Sequence, residues 1–254
     1  MNKLFDLTGN IALCTGASSG IGQRMAWALS QAGADVILVG RRLAALQAIA
    51  EEIKMAGKGQ AAYVAADLMD REGLSDLVAK ATSHFGSPTI LTNAAGVNLR
   101  EPADVVTLES WDITLNMNLA APFFLAQACV PGMLERGYGK IINVASLQSY
   151  RAFANSIPYG ASKGGITQLT RAMAEAWSGQ GILANAIAPG FFRTALTEKV
   201  YENPALVEHN AKMTAIGRNG EVEDIDGLTV FLAAPASDYI TGQVINLDGG
   251  YTAK

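Results

Sequence analysis

The sequence predicts an α/β fold in which one doubly wound parallel sheet lies between two layers of helices, a three-layer sandwich. Three observations lead there. Short β-rich runs alternate with longer helical patterns along almost the whole chain, which is the signature of βαβ units. The β-rich runs are continuously apolar, as strands covered by helices on both faces must be. The first strand also enters the first helix through the glycine-rich turn TGASSGIG, Thr15 to Gly22.

Taken in order, the run NIALCT is a strand and IGQRMAWALSQAG the helix after it; DVILVG is followed by the helix LAALQAIAEEIKMAG, and AAYVAAD by a helix from about Arg71 to Phe85. TILTNAAG precedes a long helix from roughly Leu108 to Glu135, and KIINVAS precedes one from about Pro158 to Ser178. ILANAIAP and GQVINLDGG complete a seven-stranded parallel sheet, with a helix around Val222 to Ala233 before the last strand. No internal repeat and no linker rich in Pro, Gly or Ser divides the chain, so residues 1–254 are expected to form one domain. The segment 191–217 carries helical pieces but follows a strand whose end should overlie the site, so it reads as a substrate lid.

Composition narrows the function. The 254 residues are half hydrophobic and 17% charged, enough for a large core. A net charge of −4 without a Lys/Arg-rich run argues against nucleic acid and for a small ligand. Two distant cysteines in apolar runs, Cys14 and Cys129, argue against a disulfide framework or a thiolate metal site. His84 and His209 have no partner at metal-ligand spacing. No metal is expected. The N-terminus lacks the h-region of a signal peptide and no apolar run reaches bilayer length, so no membrane and a cytoplasmic location are expected.

In TGASSGIG, Gly16, Gly20 and Gly22 let the backbone turn tightly and approach a pyrophosphate, while the helix N-terminus directs N–H groups at the anion. Strand before and helix after supply the context the motif requires. This is a Rossmann-type dinucleotide site, and Ser18, Ser19 and Ile21 belong to it with the glycines.

Tyr159 and Lys163, in YGASK, lie one helical turn apart and project from one face. A phenol titrates near ~10 when unperturbed, and a neighbouring cation favours its phenolate, so Lys163 is expected to lower the value and make Tyr159 a usable general acid/base. Ser146 ends the strand KIINVAS, where parallel sheets bind ligands, and its hydroxyl can donate to a developing oxyanion. Ser149 is the competing hydroxyl. Asn118 lies inside an apolar helix, where an amide is costly unless bonded.

TGASSGIG, NAAG at Asn93 to Gly96, Asn118, Ser146, YGASK thirteen residues beyond Ser146, and PGFFRT at Pro189 to Thr194 together resemble the short-chain dehydrogenase/reductase family over essentially the whole chain. The resemblance implies an NADP(H)-dependent oxidoreductase that interconverts a ketone and a secondary alcohol. It also implies that Asn118 bends its helix and holds a water linking Lys163 to solvent, and that Lys163 binds the nicotinamide ribose. Asp67 and Leu68 fall at the family's adenine contact, although Asp67 also reads as a helix N-cap. Asn93, Ala94 and Gly96 fall near the ribose, and Pro189, Gly190, Phe192 and Thr194 on the segment that fixes the carboxamide. Where NAD-using members carry an acid at the end of the second strand, this chain has Gly40 followed by Arg41 and Arg42, which suits a 2′-phosphate. Many NADP-using relatives place a base in the glycine motif, where Ser19 stands. Relatives are commonly tetramers, so a homotetramer is expected.

For substrate, GVNLREP, SLQSYRAFANSIPYGASK and LDGGYTA resemble the sugar-acid and polyol branch, gluconate 5-dehydrogenase among it. Arg100 is a candidate carboxylate partner, and Gln148 and Tyr150 are expected beside the substrate. Phe191, Phe192, Tyr150, Phe153 and Trp177 can equally furnish an apolar pocket for a bulky or cyclic ketone. A 3-oxoacyl-thioester reductase and a non-catalytic dinucleotide sensor are the alternative readings. Intact Ser146, Tyr159 and Lys163 weigh against the sensor.

Overall fold

The computed structural model describes residues 3–56 and 58–254. Met1, Asn2 and Gly57, the last of which was expected to end the second helix, lie outside the described residues. Seven strands, β1 (Ile11–Thr15), β2 (Asp35–Gly40), β3 (Ala61–Ala65), β4 (Ile90–Asn93), β5 (Gly139–Val144), β6 (Ile182–Pro189) and β7 (Val244–Leu247), form one sheet in the order β3-β2-β1-β4-β5-β6-β7. Every pairing is parallel. The order reverses beside β1, which pairs with β2 on one side and β4 on the other, so a crevice opens there at the carboxyl edge.

Alternation along each strand feeds two cores. Ala12 and Cys14 of β1 pack with Met25 and Leu29 of α1 (Gly20–Gln31), Leu46 and Ile53 of α2 (Leu43–Ala56), and Leu232, a residue of the later helix Asp226–Ala233. Ile11 and Leu13 pack on the other face with Leu77 of α3 (Leu74–Phe85) and with Leu125 and Met133 further along the chain. Helix α3 starts three residues later than expected, because Asp70 first accepts the Gly73 N–H at 3.2 Å in a local turn.

The long helix is three pieces: α4 (Leu108–Leu115), a π-helical turn Asn116–Ala120, and α5 (Ala121–Arg136), which ends on Gly137 in the left-handed region. Contrary to expectation, Leu108–Arg136 is long and apolar enough by length and composition to cross a bilayer, with mean hydropathy 1.4 over 18 residues. Asp112, Asn116 and Asn118 interrupt it, so no unbroken apolar run is visible. Half of that stretch is buried inside the fold, and α4 packs on α6 (Ile157–Trp177) while α5 covers α3 and β5. It is a core helix.

Between β6 and α9 (Asp226–Ala233), the segment 191–217 holds a 3-10 turn Ala195–Thr197, then α7 (Glu198–Tyr201) and α8 (Pro204–Met213).

Candidate active site

The crevice is a cavity of about 540 Å³ that runs from the glycine turn past Ser146, Tyr159 and Lys163 to Thr197. At its head Gly16 adopts φ +65°, and a Cβ there would lie 2.8 Å from the Ala95 nitrogen, so only glycine lets the turn close on the end of β4. Thr15 makes the same junction with its side chain. Its hydroxyl donates to the Thr92 carbonyl at 3.0 Å and accepts from the Ala94 and Ala95 N–H groups at 3.1 and 3.3 Å. The sequence reading gave Thr15 no role, although it heads the glycine motif. Ser19 is the N-cap of α1 but makes no side-chain cap, so no hydroxyl competes for the first-turn N–H groups.

At the end of β2, Arg42 turns back onto this loop. Its Nη2 donates to Ser19 Oγ at 2.8 Å, to the Ser18 carbonyl at 3.0 Å and to Ser18 Oγ at 3.1 Å. Arg41 lies on the wall beside it. Asp67 and Leu68 line the next stretch, where Asp67 also accepts the Met69 N–H at 3.1 Å; it therefore serves as a local cap and faces the crevice at once. Ile21, Ala94, Gly96, Pro189, Gly190, Phe192 and Thr194 also line the crevice.

At the reacting end, the Ser146 hydroxyl accepts the Gln148 N–H at 3.1 Å, which orients it and leaves its proton to donate. Tyr159 and Lys163 are both buried, and the Lys163 ammonium stands 5.6 Å from the Tyr159 ring centroid. Lys163 Nζ donates to the Val144 carbonyl at 2.6 Å. Asn118, in the π turn, does not reach the crevice. Its Oδ1 accepts the Val97 N–H at 2.9 Å, and its Nδ2 donates to the Val97 carbonyl at 2.9 Å and to Ser162 Oγ at 3.0 Å. Ser162 in turn donates to the Tyr159 carbonyl at 2.7 Å, so Asn118 joins the end of β4 to the helix that carries the Tyr/Lys pair. A π turn frees backbone groups and recurs at functional sites.

The electrostatics differ from the sequence expectation. Burial pushes the Tyr159 phenol above its ordinary value, and what pulls it back is a hydrogen bond from Ser146 and the charge of Arg100, not Lys163. Burial also lowers the Lys163 ammonium to about 8. A desolvated amine at this distance is a weak source of field at alkaline pH.

Besides Asn118, two expected residues stay off the crevice wall. Asn93 points into the sheet, where its Nδ2 donates to Asn143 Oδ1 at 2.9 Å across the Asn93↔Asn143 pair of β4 and β5. Tyr150 is half exposed, because the 3-10 turn Leu147–Ser149 carries it outward while Gln148 faces the cavity. Arg100 does line the cavity, held at φ +56°. So do Phe153, Phe191, Leu196 and Asn98, whose Oδ1 is buried without a partner. Asn98 and Leu196 were not singled out by the sequence reading, which had no pattern to mark them.

A dinucleotide crevice at the sheet's switch point, with a buried phenol, an amine and a hydroxyl converging at one end, defines a nicotinamide-dependent oxidoreductase. Residues 16–252 match the family model described as enoyl-(acyl carrier protein) reductase. The chain is 38% identical to gluconate 5-dehydrogenase of Gluconobacter oxydans (strain 621H) over 99% of its own length and 98% of that protein's. It is 38% identical to galactitol 2-dehydrogenase (L-tagatose-forming) of Cereibacter sphaeroides over 98% and 97%. Its fold superposes with a TM-score of 0.95 on a gluconate 5-dehydrogenase from Burkholderia cenocepacia J2315 in complex with NADP and tartrate, at 34% identity over 99% and 98% of the two chains. The chain belongs to the short-chain dehydrogenase/reductase family and is an NAD(P)-dependent oxidoreductase acting on CH–OH groups.

Proposed function

We propose that this enzyme interconverts the ketone and secondary-alcohol forms of a sugar acid or related polyol, using NADP(H), with Tyr159 as general acid/base. The observation that carries the substrate class is Arg100. It lines the reacting end of the cavity, acts electrostatically on Tyr159, and has no hydrogen bond or ion pair among the described residues. A guanidinium so placed suits a substrate carboxylate near the reacting carbon. The names of the two relatives, a gluconate and a galactitol dehydrogenase, support the same class.

The crevice suits the cofactor: a glycine turn closed on β4, first-turn N–H groups of α1 clear of any side-chain cap, and Arg42 beside Ser18 and Ser19 where a 2′-phosphate would be held. When bound, the reduced nicotinamide supplies hydride to the carbonyl carbon. Tyr159 Oη then gives its proton to the carbonyl oxygen, and takes one in the oxidative direction. Ser146 Oγ donates to that oxygen as charge grows on it. Lys163 returns a proton towards Tyr159, while Asn118 fixes the helix that carries both. The segment 191–217 acts as the lid.

Leu108, Trp111, Phe124 and Ile157 expose apolar surface on α4, α5 and the start of α6, which supports a homotetramer, to be checked by sedimentation. Cys14 and Cys129 are buried free thiols that burial pushes up to about 12, which suits a cytoplasmic setting.

The test is a panel of sugar acids, polyols and bulky ketones followed at the nicotinamide absorbance, with phosphorylated and unphosphorylated cofactor in parallel. Oxidation of a sugar acid or polyol, faster with NADP than with NAD, is expected. Turnover confined to bulky ketones, or faster with NADH, overturns the corresponding part.

A further inference from the structure

The turn after β7 touches both ends of the 191–217 segment and the loop that follows Ser146. At the first end, Phe191, Phe153 and Tyr251 form a three-ring cluster, with centroids 5.9 Å apart for Phe153 and Phe191, 6.0 Å for Phe191 and Tyr251, and 6.5 Å for Phe153 and Tyr251. Phe153 and Phe191 line the cavity, and the buried Tyr251 backs them without lining it. At the other end, the Ala215 and Ile216 N–H groups donate to the Gly249 carbonyl at 2.8 and 3.2 Å. Lys254 Nζ donates to the Thr214 and Lys212 carbonyls at 2.8 and 3.2 Å, where a cation suits the carboxyl end of α8.

One residue links these contacts to the catalytic loop. The Arg151 guanidinium lies 5.5 Å over the Tyr251 ring, and its Nη2 donates to the backbone oxygen of Lys254 at 2.9 Å. The turn itself is held fast. Asp248 accepts the Gly250 N–H with one oxygen at 2.9 Å, and the Thr252 N–H and hydroxyl with the other at 2.9 and 2.7 Å. It fits closely against the lid, since a Cβ on Gly250 would meet Ala215 Cβ at 2.7 Å.

We infer that Arg151, Tyr251 and Lys254 are positioning residues that clasp the 191–217 segment to the loop 147–155 and thereby set the substrate end of the cavity. None of the three lines the cavity. They act through Phe153 and Phe191, whose separation fixes the width of the space beyond Gln148, and through the anchored end of α8. The glycine turn and Arg42 lie at the far end of the crevice, so the clasp acts first on substrate binding and reaches the cofactor only weakly, through Phe192 and Thr194 at the start of the segment. The assignment of that space to substrate rests on the function proposed above.

The test uses the full chain with Arg151→Gln, Lys254→Met, both together, Tyr251→Ala, and Tyr251→Phe as the conservative control. Amide hydrogen exchange over 204–216 reads the clasp without any turnover, and should quicken in all variants except Tyr251→Phe. With a substrate from the panel, KM should rise about tenfold while kcat and the NADPH dissociation constant stay within about twofold. The double variant should cost no more than the larger single one, because the two residues act as a unit. Unchanged exchange over 204–216 overturns the clasp, as does a loss of NADPH affinity equal to the rise in KM, which would mean a generally loosened domain. If the wild-type chain turns over nothing in the panel, the functional proposal fails and the exchange data still decide the clasp.

Discussion

The Lys163 ammonium donates to the Val144 carbonyl oxygen at 2.6 Å, in a place where burial brings its pKa down to about 8 from 10.5. The helix turn that puts it beside Tyr159 also carries it under the sheet edge, so its charge is kept at a cost in desolvation.

That cost has a sign that can be measured. The folded pKa lies below the unfolded one, so between about 8 and 10.5 the unfolded chain holds more protons and stability rises with pH. The penalty is fully present below about 8. Lys163→Met is expected to be inactive, yet to lack this rise: in urea titrations at pH 7.5 and 9.5, wild type should gain on the variant by about 1–3 kcal/mol at the higher pH. An equal response of the two proteins would show that the amine is not desolvated in the folded state.

Tyr159→Phe removes the phenolic oxygen and little else, since the ring stays buried between Ser146 and Lys163. Turnover should fall by roughly 10²–10⁴ in kcat. NADPH affinity, read by nicotinamide fluorescence, should hardly change. In the wild type the raised phenol keeps its proton through neutral pH, so ketone reduction should be flat there and decline only at alkaline pH, while alcohol oxidation should climb over the same range.

The parts legible in the sequence are those governed by local pattern. The apolar runs from NIALCT to GQVINLDGG became the strands, and the glycine turn stands where β1 meets α1. What escaped depends on contacts far apart in sequence. Lys140 reads as an ordinary strand residue, yet it is 1% exposed and bonds Asp238 at 2.8 Å and Ser237 at 3.2 Å, nearly a hundred residues on. The π turn around Asn118 is invisible to a 3.6-residue period, though an amide in an apolar helix hinted at it. Gln148 and Tyr150 look interchangeable in SLQSY, and only the 3-10 geometry decides which of them faces the cavity.

Arg42 is held by four hydrogen bonds to Ser18 and Ser19, three from Nη2 and one from Nε to Ser18 Oγ at 3.3 Å, so its fork is already oriented beside the glycine turn rather than left free in solvent. A guanidinium from just beyond β2 thus reaches into the glycine motif at Ser19, where the proposed function has it meet the 2′-phosphate. Arg42→Gln should raise KM for NADPH about 10- to 100-fold and leave KM for NADH within about twofold. Ser19→Ala, which removes one of the anchors, should give a smaller shift in the same direction. Equal effects on both cofactors would assign Arg42 to loop structure alone.

The proposed function gives Arg100 two separable effects, and one variant reads both. As a partner for a carboxylate, its loss in Arg100→Ala should raise KM for sugar acids about 10- to 100-fold while polyols without a carboxylate change little. As a charge near Tyr159, it lowers the phenol, so its removal should shift the alkaline limb of alcohol oxidation to higher pH even with an uncharged polyol. Arg100→Lys should restore most of the pH profile, because the charge returns, but only part of the affinity, because an ammonium lacks the planar fork. A pH shift without a KM effect would leave Arg100 as an electrostatic neighbour of Tyr159 and move the carboxylate elsewhere in the cavity, with Asn98 and Gln148 the next side chains to substitute.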